Sequence, residues 1–325
     1  MKPAQTIRSR MTRTTAPSCK THPRAGVRAG AFGLGVGAFA AAIFSSAILA
    51  LALRAAPSPP EVHENSLGMR FVPIPGTSVW FSVWDTRVRD FAAFVAATGY
   101  DATQHVVAIT GGGWKETGAS WQAPGFAQGP LHPVCAINWE DARAFCAWLT
   151  AKERREHAIG AEESYRLPTD AEWSLAAGLP AETGATPAEK GRHGPELYAW
   201  GTGWPPPAGS GNFAGEEARD HDWPPDGAVI GHYRDDYART SPVGSFPPNR
   251  LGLYDVSGNV WQWCEDWTGP DHRHRVLRGG SFYNATPADL RLSRRADFDP
   301  PETRAVNFGM RCVLVRAAPS SPAHP

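Results

Sequence analysis

The first 54 residues contain no acidic side chain, although they hold eight of the chain's 32 lysines and arginines. The remainder therefore carries 24 bases against 32 acids, a net charge of −8 hidden inside a whole-chain balance of zero. That sign is wrong for gripping phosphates, so nucleic acid is excluded as the expected partner. No Cys-x-x-Cys occurs, which excludes zinc-ribbon and thioredoxin-like sites. No sequence repeat is visible. The glycines of Arg278-Gly-Gly-Ser281 lack a following Lys-Ser/Thr and an amphipathic helix, so they are not a phosphate loop.

Ala29 to Leu53 is a run of 25 residues without charge or proline. At about 1.5 Å per residue it is long enough to cross a bilayer as a tilted helix. Basic residues lead into it, so the positive-inside rule places residues 1–28 in the cytoplasm and the body outside. The expectation is a single-pass signal anchor at 29–53 in the cell membrane, with the folded domain on the outer, periplasmic side. A cleaved signal peptide is the alternative, since Ala50-Leu51-Ala52 offers small residues. Four cysteines, Cys135, Cys146, Cys264 and Cys312, would then lie in an oxidising space where disulfides persist. Cys19 lies on the other side.

Residues 54–65 form a Pro-rich linker, 66–316 the folded domain, and 317–325 a small Pro-rich tail expected to be disordered. The domain reads as α+β, with short strands, few helices and much irregular coil. Leu67 to Pro75 and Val79 to Trp84 predict an opening hairpin, with Gly76 near the turn. Val88, Phe91, Phe94 and Val95 predict a helix capped by Asp85 or Thr86 and stopped at Gly99. A second helix begins after Asn138, with Ala142, Phe145, Cys146 and Leu149 on one face. A third begins at Thr169, where Thr169 and Glu172 form a capping box. Beyond Trp173 turns dominate, and 204–226 is the most open stretch.

Several blocks stand in a fixed order. They include Asp85-Thr86 with Thr98-Gly99-Tyr100, then His132-Pro-Val134, then Asn138-Trp-Glu-Asp-Ala142. Tyr165-Arg-Leu-Pro-Thr-Asp-Ala-Glu-Trp173 and Tyr198-Ala-Trp-Gly201 follow. The chain continues with Thr240 to Asn249, Leu251 to Trp263, Leu277-Arg-Gly-Gly-Ser-Phe282 and Asn307-Phe-Gly-Met-Arg-Cys312. Together they resemble the formylglycine-generating enzyme, or sulfatase-modifying factor, family. The resemblance spans about Leu67 to Val313. It implies that family's fold, related to C-type lectins.

The resemblance also implies an oxidase whose copper ion is held by two cysteines after the Gly-Gly-Ser block. Counted without gaps, those positions fall at Asp289 and Arg294. No cysteine occurs between Cys264 and Cys312, so no shift of alignment restores the pair. Copper prefers soft thiolates at such a site, and arginine offers no lone pair. Copper-dependent formylglycine formation is therefore not expected, and whether the chain is an enzyme stays open. Trp261 and Ser281 are the expected pocket residues. Asp271-His272-Arg273-His274 offers two histidines and a carboxylate but reads as a solvated loop.

The resemblance implies structural calcium in two loops. One set maps onto Asn212, Phe213, Asp235 and Tyr237, the other onto Asp255, Gly258, Val260 and Gln262. Oxygen donors from turns suit calcium; the bland alternative is Asx-type turn bonding. It also implies a disulfide between Cys146 and Cys312. The expected protein is a membrane-anchored family member acting on a peptide or protein substrate without copper. The alternatives are a catalytically silent module that binds a peptide or glycan, and a sulfatase-activating oxidase that uses other residues.

Overall fold

The computed structural model describes residues 61–296 and 300–316. The proposed cytoplasmic segment 1–28, the span 29–53, most of the linker and the tail 317–325 lie outside them. No helix among the described residues is long and apolar enough to cross a membrane.

The chain opens with strands β1 (His63–Glu64), β2 (Arg70–Pro73) and β3 (Val79–Ser82), then helix α1 (Val88–Thr98). Strands β4 (Val106–Thr110) and β5 (Gly113–Thr117) precede α2 (Trp139–Arg155), β6 (Ser164–Arg166), α3 (Asp170–Ala177) and α4 (Pro187–His193). After a long irregular stretch come β7 (Trp261–Trp267), β8 (Arg275–Arg278) and the single turn α5 (Pro287–Leu290). The chain closes with β9 (Arg304–Ala305), β10 (Phe308–Met310) and β11 (Val313–Val315). Helices and short strands are thus mixed, with coil between them.

Among the described residues three small sheets form, ordered β1-β2-β3-β11-β6, β10-β7-β8 and β5-β4-β9. The last strand does not sit at an edge. It pairs antiparallel with β3 on one side and β6 on the other, and Val313 and Leu314 are fully buried there. The predicted hairpin is β2–β3, and Gly76 takes the left-handed φ of 80° its turn requires.

The helices follow local rules. Asn138 Oδ1 accepts the Asp141 N–H at 2.8 Å, and Asp141 accepts back from the Asn138 N–H at 2.9 Å. Thr169 and Glu172 make the same reciprocal box at α3. At α1 the expected cap is corrected. Arg87 holds the N-cap position, and its N–H and Nε both donate to Asp90 Oδ2, at 3.0 and 2.8 Å. Asp85 is instead fully buried beside Arg311. Helix α4, which the sequence reading missed, carries few apolar residues and buries none.

The predicted faces of α1 and α2 meet as an aromatic cluster of Phe91, Phe94, Phe145 and Trp148, with centroids 5.3 to 6.0 Å apart. This cluster continues into Trp261, Trp263, Phe308 and Met310. The apolar core therefore fixes β7 and β10 in place, and those two strands contribute Trp261 and Phe308 to the lining of a cleft.

Candidate functional site

Strands β7 and β10 run parallel, with Phe308 opposite Trp261. The Trp261 N–H donates to the Asn307 carbonyl at 2.8 Å, which locks the two blocks together. Just before α5 the chain doubles back at Gly279 and Gly280, with φ of 94° and 75°. This double turn brings Ser281 beneath them, wholly buried. Ser281 donates from both N and Oγ to Asn284 Oδ1, each at 2.8 Å. Asn307 Nδ2 in turn donates to Ser281 Oγ at 3.1 Å.

Above this triad lies a cavity of about 320 Å³. Trp261, Phe308, Asn307 and Asn284 line one side, and Val107, Trp114, Thr303, Ala305 and Tyr283 the other. Trp114 projects from β5, an edge strand, and meets Tyr283 edge-on at 4.9 Å. Asn307 is 5% exposed, yet its Oδ1 has no partner among the described residues. An apolar cleft with one unsatisfied acceptor suits a ligand with an apolar body and a hydrogen-bond donor.

Trp261 lines the cleft, and Ser281 stands one hydrogen bond behind the wall. Asp289 and Arg294 do not line the cleft. Asp289 lies within α5, whose N-cap Thr286 accepts the Asp289 N–H and donates from Oγ1 to Asp289 Oδ2 at 2.7 Å. Arg294 Nη1 donates to the Arg295 carbonyl at 2.8 Å. Tyr283 and Asn284, which precede α5, are the residues of this segment that reach the cleft. The wall contains no cysteine or histidine, so its donors do not fit a copper–thiolate centre. Sequence reasoning did not single out Trp114, Tyr283, Asn284 or Asn307. The only signal for Asn307 was its place in a quoted block.

The preceding Arg278 is structural. Its guanidinium is fully buried, pairs with Asp170 Oδ1, and donates to the Leu292 carbonyl at 2.8 Å. It lies 4.3 Å from the Trp173 ring centre.

The first oxygen set lies on two loops that meet at Asp235. Asp235 Oδ2 accepts the Phe213 N–H at 2.8 Å and Oδ1 the Tyr237 N–H at 3.0 Å, so both loops close on one carboxylate. Asn212 Oδ1 is buried without a partner. Burial pushes the Asp235 carboxyl up to about 8, and the neighbouring Glu217 carboxyl adds to that rise. Among the described residues no group of three or more His, Cys, Asp or Glu side chains is placed to hold a metal, so the set depends on amide and carbonyl oxygens as well.

The second set is already engaged by protein donors. Gln262 Oε1 already accepts from Trp173 Nε1 at 2.9 Å and Arg311 Nε at 3.2 Å, which uses both its lone pairs. Its amide donates to the Asp255 carbonyl at 2.7 Å. A fixed cation is also present: Arg311 Nη2 stands 3.2 Å from Asp85 Oδ1. Burial pushes the Asp85 and Asp255 carboxyls up, and Arg311 opposes both shifts. Gly258 and Val260 supply only backbone to this loop, and Val260 is buried.

The two cysteines expected to pair are neighbours. Cys146 on α2 and Cys312 before β11 are both buried and stand as free thiols. Burial pushes the Cys146 thiol well up, and the adjoining Cys312 thiol adds to that shift. Cys135 and Cys264 are also buried and free; Cys135 Sγ donates to Gln128 Oε1 at 3.7 Å. In the Asp271–His274 loop, Asp271 and His272 are exposed and His272 stacks on Trp267 at 5.2 Å.

Comparison with known proteins agrees with this architecture. Residues 81–316 match the model of the sulfatase-modifying factor enzyme 1-like domain. The formylglycine-generating enzyme of Streptomyces coelicolor is 29% identical over 278 residues, 72% of this chain and 77% of the relative. The inactive C-alpha-formylglycine-generating enzyme 2 of Bos taurus is 30% identical over 211 residues, 60% of this chain and 56% of the relative. The solved structure of PvdO from Pseudomonas aeruginosa superposes with a TM-score of 0.53 at 21% identity, covering 80% of this chain and all of that one. The chain belongs to the formylglycine-generating enzyme-like family of sulfatase-modifying factor domains.

Proposed function

We propose that this chain is a membrane-anchored, outward-facing family member that binds an extended peptide in the Trp114–Trp261 cleft and does not perform copper-dependent formylglycine formation. The observation that carries this reading is the donor set of the cleft wall. Its polar side chains are Tyr283, Asn284, Thr303 and Asn307, and among the described residues it holds no thiolate. A peptide suits it for two reasons. The edge strand β5 offers backbone groups to an added strand beside the cleft, and the aromatic walls offer a pocket for one side chain. The name of the inactive bovine relative supports the absence of oxidase chemistry. The basic leader and the uncharged run 29–53 support the anchor and the periplasmic side. In the same reading the first oxygen set, Asn212, Phe213, Asp235 and Tyr237, holds a structural calcium.

The test uses the full chain, loaded with Cu(I) or left without it, and a cysteine-containing sulfatase peptide. Binding is read by tryptophan fluorescence and aldehyde by a carbonyl-reactive probe. The expected result is peptide binding that copper leaves unchanged, with no aldehyde. Trp114→Ala should weaken binding by about 30-fold, the scale of an aromatic hot spot of ~2 kcal/mol. Copper-dependent aldehyde formation would overturn the reading in favour of an oxidase that uses other residues.

A further inference from the structure

Glu217 belongs to a 3-10 turn, Glu216–Asp220, and attracted no notice in the sequence. Its carboxylate folds back over its own turn and under the Asp235 loop. Glu217 Oε1 accepts the Asp235 N–H at 3.0 Å, while Oε2 is buried and finds no donor among the described residues. The residue is only 9% exposed, and Asp235 only 7%. Two carboxylates therefore face each other in the interior. Among the described residues no lysine or arginine forms an ion pair with either. Buried anions without a counter-charge are costly and are ordinarily paired or metal-bound.

The local chain is shaped to permit this approach. A Cβ at Gly215 would lie 2.5 Å from Glu217 Oε1 and 2.7 Å from Oε2, so a side chain there would push the carboxylate away. Glu216 points elsewhere and accepts the His232 N–H at 2.8 Å. A second unsatisfied oxygen on these loops is Asn212 Oδ1, on a residue 1% exposed.

We propose that Glu217 is a direct carboxylate ligand of the cation at the Asn212–Asp235 loops, giving this chain a two-carboxylate calcium site. The inference rests on the calcium reading of those loops and adds Glu217 to it. The donors are all oxygens, drawn from irregular loops rather than a rigid octahedral frame. That favours calcium over magnesium. With calcium bound, the two carboxylates cease to repel and Asn212 Oδ1 gains a partner. Without it, the pair persists by sharing a proton.

The full chain, stripped with a chelator, is titrated with calcium by calorimetry and by thermal melting. Wild type should bind one calcium and melt higher in its presence. Glu217→Gln should bind calcium at least 30-fold more weakly. It should also melt no lower than wild type in chelator, because the repulsion is gone. Gly215→Ala should weaken calcium binding in the same direction, and Glu216→Gln should leave it within threefold. Magnesium should raise wild-type melting less than calcium does. Calcium binding by Glu217→Gln within threefold of wild type overturns the role of Glu217 alone. So does a Glu217→Gln that melts below wild type in chelator and calcium alike, since Glu217 would then be a packing residue. Wild type that binds no calcium overturns the cation reading of the loops as a whole.

Discussion

Asp170 accepts hydrogen bonds from two buried arginines. Arg295 Nε and Nη2 donate to Oδ1 and Oδ2, each at 2.9 Å, and Arg278 Nη1 donates to Oδ1. Glu182 completes the set by accepting from Arg295 Nη2 at 2.7 Å. Two acids thus balance two bases behind the Gly-Gly turn that positions Ser281. Burial alone would raise the Asp170 carboxyl, but Arg278 and Arg295 outweigh it and hold it below the ordinary 3.8. Asp170→Asn leaves fully buried Arg278 without its partner, so it should cost about 3–5 kcal/mol in urea unfolding. The sign with pH follows from the depressed value. The Asp170 contribution is complete above 3.8 and is lost as pH falls through the lower folded-state value. Below about pH 4, wild type should therefore lose stability more steeply than Asp170→Asn. A loss under about 1 kcal/mol would mean that the network behaves like an exposed pair. In the sequence, the Thr169–Glu172 box beside Asp170 was legible because its partners lie three residues apart. The Asp170–Arg295 pair was not, because it joins positions 125 residues apart.

At the scale of elements, loops position more of the site than strands do. Gly258 has φ 82°, and a Cβ there would lie 2.2 Å from the Asn212 carbonyl oxygen. The Asn259 N–H donates to that same oxygen at 2.9 Å, and the Phe282 N–H donates to the Asn259 carbonyl at 3.0 Å. One tight turn thus joins the Asn212 loop to the cleft segment. Gly258→Ala should destabilise the chain by roughly 2–5 kcal/mol, combining positive-φ strain with overpacking. It should also weaken calcium and peptide binding together. If calorimetry shows a change of less than about 1 kcal/mol, the two loops are not coupled through this turn. This scale also shows where sequence reading stops. The hairpin, α2 and α3 were legible from periodicity and caps. Asn284, Asn307 and Glu217 reach their partners only because irregular backbone bends, and no period encodes that. Asp289 and Arg294, counted from the Gly-Gly-Ser block, lie past Asn284 and outside the lining of the cleft, which no period encodes either.

At the scale of the whole molecule, the last strand sits in the middle of the first sheet, so the end of the chain is needed to complete its beginning. Cys312 immediately precedes that strand, and Cys146 meets it from the inward face of α2. The sequence resemblance implied this pair, and the structure brings the two thiols together unbonded. On the outward-facing reading, export into an oxidising space should convert them to a disulfide. The closed loop of about 165 residues would restrict the unfolded chain strongly, by ~5 kcal/mol on the loop-entropy account. Non-reducing peptide mapping of protein recovered from the envelope should find Cys146 linked to Cys312, with Cys135 and Cys264 available to alkylation after unfolding. Adding reductant should lower the melting temperature of wild type but leave Cys146→Ser unchanged. Recovering Cys146 as an alkylatable thiol from fully oxidised, exported protein would overturn the pairing. It would also weigh against the periplasmic location, because two adjoining thiols in an oxidising space have little to keep them apart.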